Sequence, residues 1–406
     1  MINCFPPILY AVTTYSVYRR VGRFYSLSVF IWLLHTVSML CFWIKADFLL
    51  GFENDYSIGA LALMYFTLLL ITIPLIRFEK RLSKCGNIKA VSISSSKFKI
   101  VVYSLIILSL YSIAFFVVNL PKVFALDVKE IREGQIIFYE SSIFSKVAVL
   151  GAFSSVFCIF FYFYLSALNY NRKICTLLLI SSLSFIVYTL NVAGRDGIVI
   201  WGFSFLAGFS LFHKYLNKRI IKLIKKGAVL MTIITLPLLI YITGSRFSDS
   251  SNSLAGFDSV LSYAGQSLPN LSYEIDLVEK IHRRSGDGTF PIALVRSIVG
   301  SDENRFDRMD DAAIYGFRSN QFSSYVSFFY PSYSILFLIF FIILFNVIIR
   351  SSVKVRQSQF NPIDFIVGYT WYMIPIVGIF YFYYGELIGN VFLLLPFLIR
   401  FYLKRV

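Results

Sequence analysis

Residues 335–349 read ILFLIFFIILFNVII and are followed directly by Arg350. No charged residue occurs between Arg318 and Arg350. The uncharged stretch of residues 319–349 is therefore long enough to cross the ~30 Å hydrocarbon core of a bilayer as a helix. Similar apolar segments recur along the chain of 406 residues, which is 57% hydrophobic and 15% charged, with a mean hydropathy of +0.72. A soluble domain has roughly 25% charged residues. The composition therefore excludes a soluble enzyme, a DNA-binding protein and a secreted disulfide scaffold, and indicates a polytopic membrane protein.

The apolar segments predict an all-α fold with about eleven transmembrane helices in one integral membrane domain, residues 1–406. The predicted spans are 4–18, 26–44, 57–76, 100–120, 147–168, 174–192, 198–212, 227–244, 324–349, 363–384 and 387–399.

The distribution of Lys and Arg predicts the orientation of these spans. Alternate connections, beginning with residues 19–25, hold 24 of the 38 basic residues and only two of the 22 acidic ones. Basic connections face the cytoplasm in membrane proteins. We therefore predict a multi-pass membrane protein with its N-terminus on the outer side and its C-terminus in the cytoplasm. The basic charge is expected to contact lipid headgroups rather than nucleic acid.

Two of the connections on the opposite, periplasmic side are long: a large loop of residues 245–322 and a smaller loop of residues 121–146. Loops of the larger size are usually functional. Within the large loop, residues 268–284 (LPNLSYEIDLVEKIHRR) predict an amphipathic helix lying against the outer surface of the bundle, as a helical periplasmic cap. Its apolar positions at helical spacing are Leu271, Ile275, Val278 and Ile281.

Ionisable residues are almost absent from the predicted spans, with His35 as the main exception. Ion-coupled carriers place such residues at mid-membrane, so their scarcity argues against a proton- or sodium-driven transporter. We expect His35 to form a hydrogen bond between helices. The polar residues concentrate instead at the outer interface, which suits a substrate whose lipid stays in the bilayer while its reacting head lies outside.

Two arginines at this interface are candidates for binding a diphosphate. Arg195 lies in the turn of residues 194–197 (GRDG), and Arg246 follows a predicted span in residues 243–246 (TGSR). Neighbouring glycines allow close backbone approach, and guanidinium groups bind phosphate oxygens in bidentate fashion. The alternative is that each arginine extends to the interface or pairs with a residue such as Asp196.

Further candidates lie in the large loop. His282 is a candidate general base and Glu274 is an alternative one. Arg283, Arg284 and Arg318 are candidates for additional phosphate contacts. The alternative for residues 282–284 is a positive helix C-terminus that complements the helix dipole, and helix-surface carboxylates are commonly only solvated.

The order of these features, namely the GRDG turn, the TGSR segment and a long outer loop that re-enters at Tyr325–Tyr333, resembles the O-antigen polymerase family. These membrane enzymes polymerise oligosaccharide repeat units. The resemblance implies glycosyl transfer between repeat units carried on undecaprenyl diphosphate, with Arg195, Arg246 and Arg318 stabilising the departing diphosphate and His282 or Glu274 accepting the proton. It also implies a multi-pass protein of a bacterial inner membrane, with the N-terminus and the large loop in the periplasm and the C-terminus in the cytoplasm. Membrane lipids and a chain-length regulator are the partners that it implies. No cofactor or metal is expected, since the sequence has neither a nucleotide-binding motif nor metal-ligand spacing.

Three alternatives stay open at this point. An O-antigen ligase would use the same donor with a different acceptor. A flippase for lipid-linked oligosaccharides is disfavoured by the missing internal repeat and by the large outer loop. A non-catalytic membrane scaffold is the third alternative.

Overall fold

A computed structural model describes the structure of most of the chain. The described residues are 2–49, 56–84, 87–88, 95–124, 142–191, 194, 196–227, 229, 233, 255–281, 324–332, 335–352, 355–356, 359–379 and 387–404.

The described residues are almost entirely helical. In chain order the helices are α1 (Phe5–Val21), α2 (Leu27–Phe48), α3 (Ile58–Leu82), α4 (Ser96–Phe124), α5 (Ile143–Phe153), α6 (Ser155–Ala167), α7 (Arg172–Ser181), α8 (Ser184–Asn191), α9 (Asp196–Phe212), α10 (residues 218–227), α11 (Ala255–Gly265), α12 (Ser267–Ile281), α13 (Tyr325–Ser332), α14 (Ile335–Ser352), α15 (Pro362–Val377) and α16 (Leu387–Lys404). Short 3₁₀ turns occupy Ile2–Cys4 and His213–Tyr215, and two-residue strands occupy Asn87–Ile88, Val355–Arg356 and Gln359–Phe360. The first strand pairs in parallel with the third.

Within the described residues, seven helical segments are long and apolar enough to cross a membrane. They are Leu27–Phe48, Ile58–Leu82, Ser96–Pro121, Ile143–Ala167, Arg172–Asn191, Asp196–Tyr215 and Ile335–Ser352. The prediction of an all-α polytopic fold is confirmed at this level, and each of the seven overlaps a predicted span.

The remaining predicted spans have different outcomes. The first, tenth and eleventh coincide with α1, α15 and α16, which are not among the seven segments. The predicted span 324–349 contains two helices, α13 and α14. Most of span 227–244 lies outside the described residues. Helix α4 continues to Phe124 and α5 begins at Ile143, at the two margins of the predicted smaller loop, whose residues 125–141 are not described.

The chain, for which the sequence predicts one membrane domain, groups into two compact units. The first unit comprises Met1–Lys84, Thr243–Val355 and Thr370–Leu394. The second comprises Cys85–Ile242, Arg356–Tyr369 and Leu395–Val406.

In the first unit, a buried carboxylate holds the turn between α1 and α2 against α3. Glu79 of α3 accepts hydrogen bonds from the backbone N–H of Leu27 (2.6 Å) and of Ser28 (3.2 Å), and from the Ser28 hydroxyl. Arg23 donates to the backbone oxygen of Glu79 at 2.9 Å. A carboxylate at a helix N-terminus satisfies N–H groups that have no partner in the helix and complements its dipole. Glu79 therefore fixes the start of α2.

The core of the second unit is built around α5 and α6. Side chains such as Phe157, Phe160 and Tyr164 are fully buried. A Cβ on Gly151 of α5 would lie 2.3 Å from the backbone oxygen of Leu108, so only glycine permits α4 and α5 to pack this closely. Aromatic packing of this density gives the unit a rigid centre.

Candidate functional site

The large loop of residues 245–322 contributes two consecutive helices, α11 and α12, to the first unit. Gln266 alone separates α11 from α12. Helix α11 runs along α2, since Asp258 forms a salt bridge of 2.7 Å with Lys45 and the Ser38 hydroxyl donates to the backbone oxygen of Ala264 at 2.6 Å. Ser38 lies about 10 Å before Lys45 along the axis of α2, and about 15 Å before the end of that helix at Phe48. The end of α11 therefore reaches the middle of α2.

Helix α12 follows α11 after a bend at Gln266. The Gln266 N–H donates to the Ser262 oxygen and the Gln266 oxygen accepts from the Asn270 N–H, both at 3.0 Å, so the helical hydrogen-bond pattern continues through the bend. The backbone N–H of Ser57, which caps the start of α3, donates to the hydroxyl of Ser272 at 2.9 Å. The α11–α12 segment therefore contacts both α2 and the start of α3.

A glycine makes this close packing sterically possible. A Cβ on Gly265, at the end of α11, would lie 2.5 Å from the backbone nitrogen of Phe42 and 2.7 Å from its Cα. Any larger residue would push the end of α11 away from α2. Helix α11 is therefore held against α2 by backbone-to-backbone packing as well as by its hydrogen bonds.

A helix covers most of the predicted segment 268–284. It runs from Ser267 to Ile281, and its first turn and a half, including Ser272, is buried against other helices. The periplasmic cap stays a prediction. Leu271 and Val278 of the predicted apolar stripe are buried, while Ile275 is half-buried. The reason is that Ser38 and Ser57 supply hydrogen-bond partners inside the protein, so the polar residues of this helix do not require water.

Glu274 is the one predicted site residue that lies within the described ranges. It lies on α12, half-buried, two residues beyond Ser272. The neighbouring Asp276 is exposed. Glu274 therefore lies between the buried start of α12 and its exposed part, where a carboxylate is partly shielded from water.

The other predicted site residues lie outside the described residues. They are Arg195, Arg246, His282, Arg283, Arg284 and Arg318. Their roles stay predictions.

The described residues around position 195 account for the glycines of the GRDG turn. The backbone N–H of Gly194 donates to the Thr189 oxygen at 2.7 Å, and Asp196 begins α9. A Cβ on Gly197 would lie 1.9 Å from the hydroxyl oxygen of Thr189 and 2.9 Å from the Phe185 oxygen. Both glycines therefore serve the tight packing of α8 on α9 within the second unit, and this packing explains their presence without a ligand.

His35 differs from its expected role. Its Nδ1 bonds to the backbone oxygen of Ile31, one turn earlier in the same helix, at 2.9 Å, so the predicted hydrogen bond between helices is wrong. Donation from Nδ1 to a carbonyl leaves Nε2 as the acceptor of a neutral imidazole. Within the described part of the chain, neither this buried Nε2 nor the buried hydroxyl of Tyr10 has a hydrogen-bond partner. The two rings are parallel, with centroids 6.3 Å apart.

Aromatic side chains of α1, α2 and α3 surround this pair. Tyr10 contacts Trp32 (5.7 Å between ring centroids) and meets Tyr65 edge-on (5.6 Å). The Tyr65 hydroxyl shares a hydrogen bond of 2.8 Å with Thr13. His35 is unusual in the sequence because it is an ionisable residue within a predicted span. The sequence gives no indication of its ring contact with Tyr10, because the two residues are distant in sequence. Within the described residues no group of three potential metal ligands occurs.

Comparison of the chain with models of protein families, with curated proteins and with solved structures finds no match. The function is therefore inferred from the residues of this chain and from the resemblance in its sequence.

Proposed function

We propose that this protein polymerises lipid-linked oligosaccharide repeat units by glycosyl transfer at the periplasmic face of a bacterial inner membrane. The observation that carries the proposal is the packing of the α11–α12 segment. Part of the large loop packs against α2 and α3, so the polar residues of α12 are held beside membrane helices instead of projecting freely into water. An enzyme needs this arrangement when its substrate is anchored in the bilayer and reacts just outside it.

The proposed donor is a glycan chain on undecaprenyl diphosphate, and the acceptor is one repeat unit on the same lipid. A hydroxyl of the acceptor sugar attacks the anomeric carbon of the donor. The bond from that carbon to the diphosphate oxygen breaks, and the diphosphate leaves with the electron pair. The hydroxyl proton passes to a base, for which Glu274 and His282 are the candidates.

Negative charge develops on the departing diphosphate, so fixed cations are needed there. We assign this role to Arg195, Arg246 and Arg318, with Arg283 and Arg284 as further contacts. Arginine suits it because its planar group binds two phosphate oxygens at once. Under this proposal the chain takes lipid-linked oligosaccharide and membrane lipids as partners, together with a chain-length regulator.

A gene deletion separates the polymerase from the alternatives. A strain that lacks the polymerase is expected to display lipopolysaccharide capped with one repeat unit, because ligation and flipping continue. Loss of all O-antigen would instead indicate a ligase or a flippase, and unchanged long chains would indicate a scaffold.

Complementation of that strain tests the assigned residues. Arg195→Ala and Arg246→Ala are expected to abolish long-chain glycan at an unchanged protein level. Arg77→Ala is the matched control, because Arg77 is exposed near the end of α3 opposite Ser57. Normal glycan ladders from both site variants would overturn the diphosphate assignment.

The base is tested in the same strain with His282→Gln and Glu274→Gln. Replacing the base is expected to lower the rate of chain extension by about a hundredfold or more, whereas replacing the other residue leaves it within a few fold. If neither variant slows extension, the base lies elsewhere.

A further inference from the structure

The second unit contains a cavity whose volume is about 870 Å³. It lies among α6, α7, α9 and α10, all of which belong to that unit. This volume is within the usual range of ligand pockets. Neither the proposed glycosyl transfer nor the residues assigned to it make use of this cavity.

One wall of the cavity is a row of aromatic rings. Trp201 stacks on Phe205 with centroids 5.1 Å apart and planes at 23°. Tyr162 stacks on the same Phe205 at 6.2 Å and 25°. The Trp201 indole N–H donates to the Ser182 hydroxyl at 3.0 Å, which fixes the orientation of its ring. The wall is therefore flat, apolar and rigid, and it suits a hydrocarbon chain.

Aliphatic residues continue this lining to the surface of the unit. Ile180, Leu206 and Leu223 line the cavity, yet 44%, 45% and 54% of their respective surfaces are exposed. Ile180 and Leu206 belong to segments that are apolar enough to cross a membrane. A cavity lined by exposed aliphatic residues of such segments is open to hydrocarbon from the side.

The rim of the cavity is polar and cationic. Arg172 at the start of α7 and Arg219 in the first turn of α10 both line it and are both exposed. The Asn217 amide donates to the Asn169 side-chain oxygen at 2.9 Å and its own oxygen accepts from the Ile220 N–H at 2.8 Å, so the two loops of the rim are tied together. Among the described residues that line the cavity, none is acidic. The rim therefore complements an anion.

From this combination we infer that the cavity binds an anionic phospholipid of the surrounding leaflet, of the phosphatidylglycerol class. Its phosphate contacts Arg172 and Arg219, and one acyl chain lies along the wall of Trp201, Phe205 and Tyr162. The bilayer supplies this lipid directly, because the aliphatic side of the cavity faces it. The basic face of α10, with Lys218 and Lys222 beside Arg219, adds attraction for an anionic surface. The inference is independent of the proposed polymerase activity.

Native mass spectrometry of the purified protein, with phosphatidylglycerol or phosphatidylcholine of identical acyl chains, measures the binding. We expect phosphatidylglycerol to bind at least about tenfold more tightly than phosphatidylcholine, because only its net charge matches the rim. The double variant Arg172→Ala/Arg219→Ala is expected to lose that preference. The matched control Lys173→Ala/Lys225→Ala removes the same charge from neighbouring exposed residues that do not line the cavity. Equal loss in both double variants would reduce the effect to general surface charge and overturn the inference.

A second variant tests the cavity itself. Gly202 lines it, and a Cβ at this position meets no other side chain or distant backbone within 4 Å. Gly202→Trp is therefore expected to fill the cavity and abolish phosphatidylglycerol binding, whereas Gly202→Ala retains it. An unchanged melting temperature shows that each variant is folded. Retained binding by Gly202→Trp, or displacement of phosphatidylglycerol by equimolar undecaprenyl phosphate, would refute the assignment of this lipid to this cavity.

Discussion

Gly265 provides a direct test of the packing of α11 against α2. In Gly265→Ala the new methyl group would lie 2.5 Å from the Phe42 nitrogen, about 1 Å inside an ordinary contact distance. The end of α11 must then retreat by a similar distance. The 2.6 Å hydrogen bond from Ser38 to the Ala264 oxygen would lengthen beyond hydrogen-bonding range, so the Ala264 oxygen would lose this donor. Overpacking costs about 1–3 kcal/mol and the lost hydrogen bond about 1 kcal/mol, so we expect a loss of about 2–4 kcal/mol in unfolding free energy.

Thermal unfolding in detergent measures this loss, and a fall of roughly 5–10 °C in melting temperature is expected for a unit of this size. Gly202→Ala is the matched control, because it is the same substitution inside a helix where the added Cβ meets open space. That variant is expected to be as stable as the wild type or about 1 kcal/mol more stable. Equal melting temperatures for the two variants would refute the close approach of α11 to α2. Under the proposed function, Gly265→Ala is also expected to shorten the glycan chains in the complementation assay.

Three further predictions concern side chains of the first unit. Glu79→Ala is expected to lower the unfolding free energy by about 3 kcal/mol, because buried N–H and hydroxyl donors at the start of α2 lose their acceptor; Glu79→Gln, which keeps one acceptor oxygen, is expected to lose less, and equal losses would contradict this account. Lys45→Ala and Asp258→Ala are expected to show a coupling of about 1 kcal/mol in a double-mutant cycle of unfolding, whereas additive losses would show that the salt bridge between α2 and α11 does not hold in the membrane protein. His35→Phe retains a ring beside Tyr10 and removes a buried nitrogen that has no partner in the described part of the chain, so its melting temperature is expected to be no lower than that of the wild type; a marked decrease would show that this nitrogen is hydrogen-bonded.

Local patterns predicted the helices but not all of their partners. Ser26 and Ser57 cap α2 and α3 in the way that their positions before apolar segments favour. In the sequence, Glu79 is one of the two acidic residues in the basic connections. Its burial depends on contacts with Leu27 and Ser28, which lie far from it in the sequence, and no local pattern indicates such contacts.

The candidate site shows the same division. The spacing of Leu271 and Val278 predicted the helix α12, and the glycines at 194 and 197 predicted a tight turn. The assignment of a diphosphate-binding role to Arg195 and Arg246 stays a proposal, because those residues lie outside the described part of the chain.

Hydropathy was sufficient to predict a helical membrane protein, since the bilayer constrains every span to the same length and polarity whatever its neighbours are. Hydropathy could not place α11 and α12 beside α2. An amphipathic helix has the same sequence pattern on a protein surface as in a groove between helices. The location in the groove depends on Gly265, which lets the backbones of α11 and α2 approach. It also depends on Ser38 and Ser57, which form hydrogen bonds to α11 and α12 from other parts of the chain.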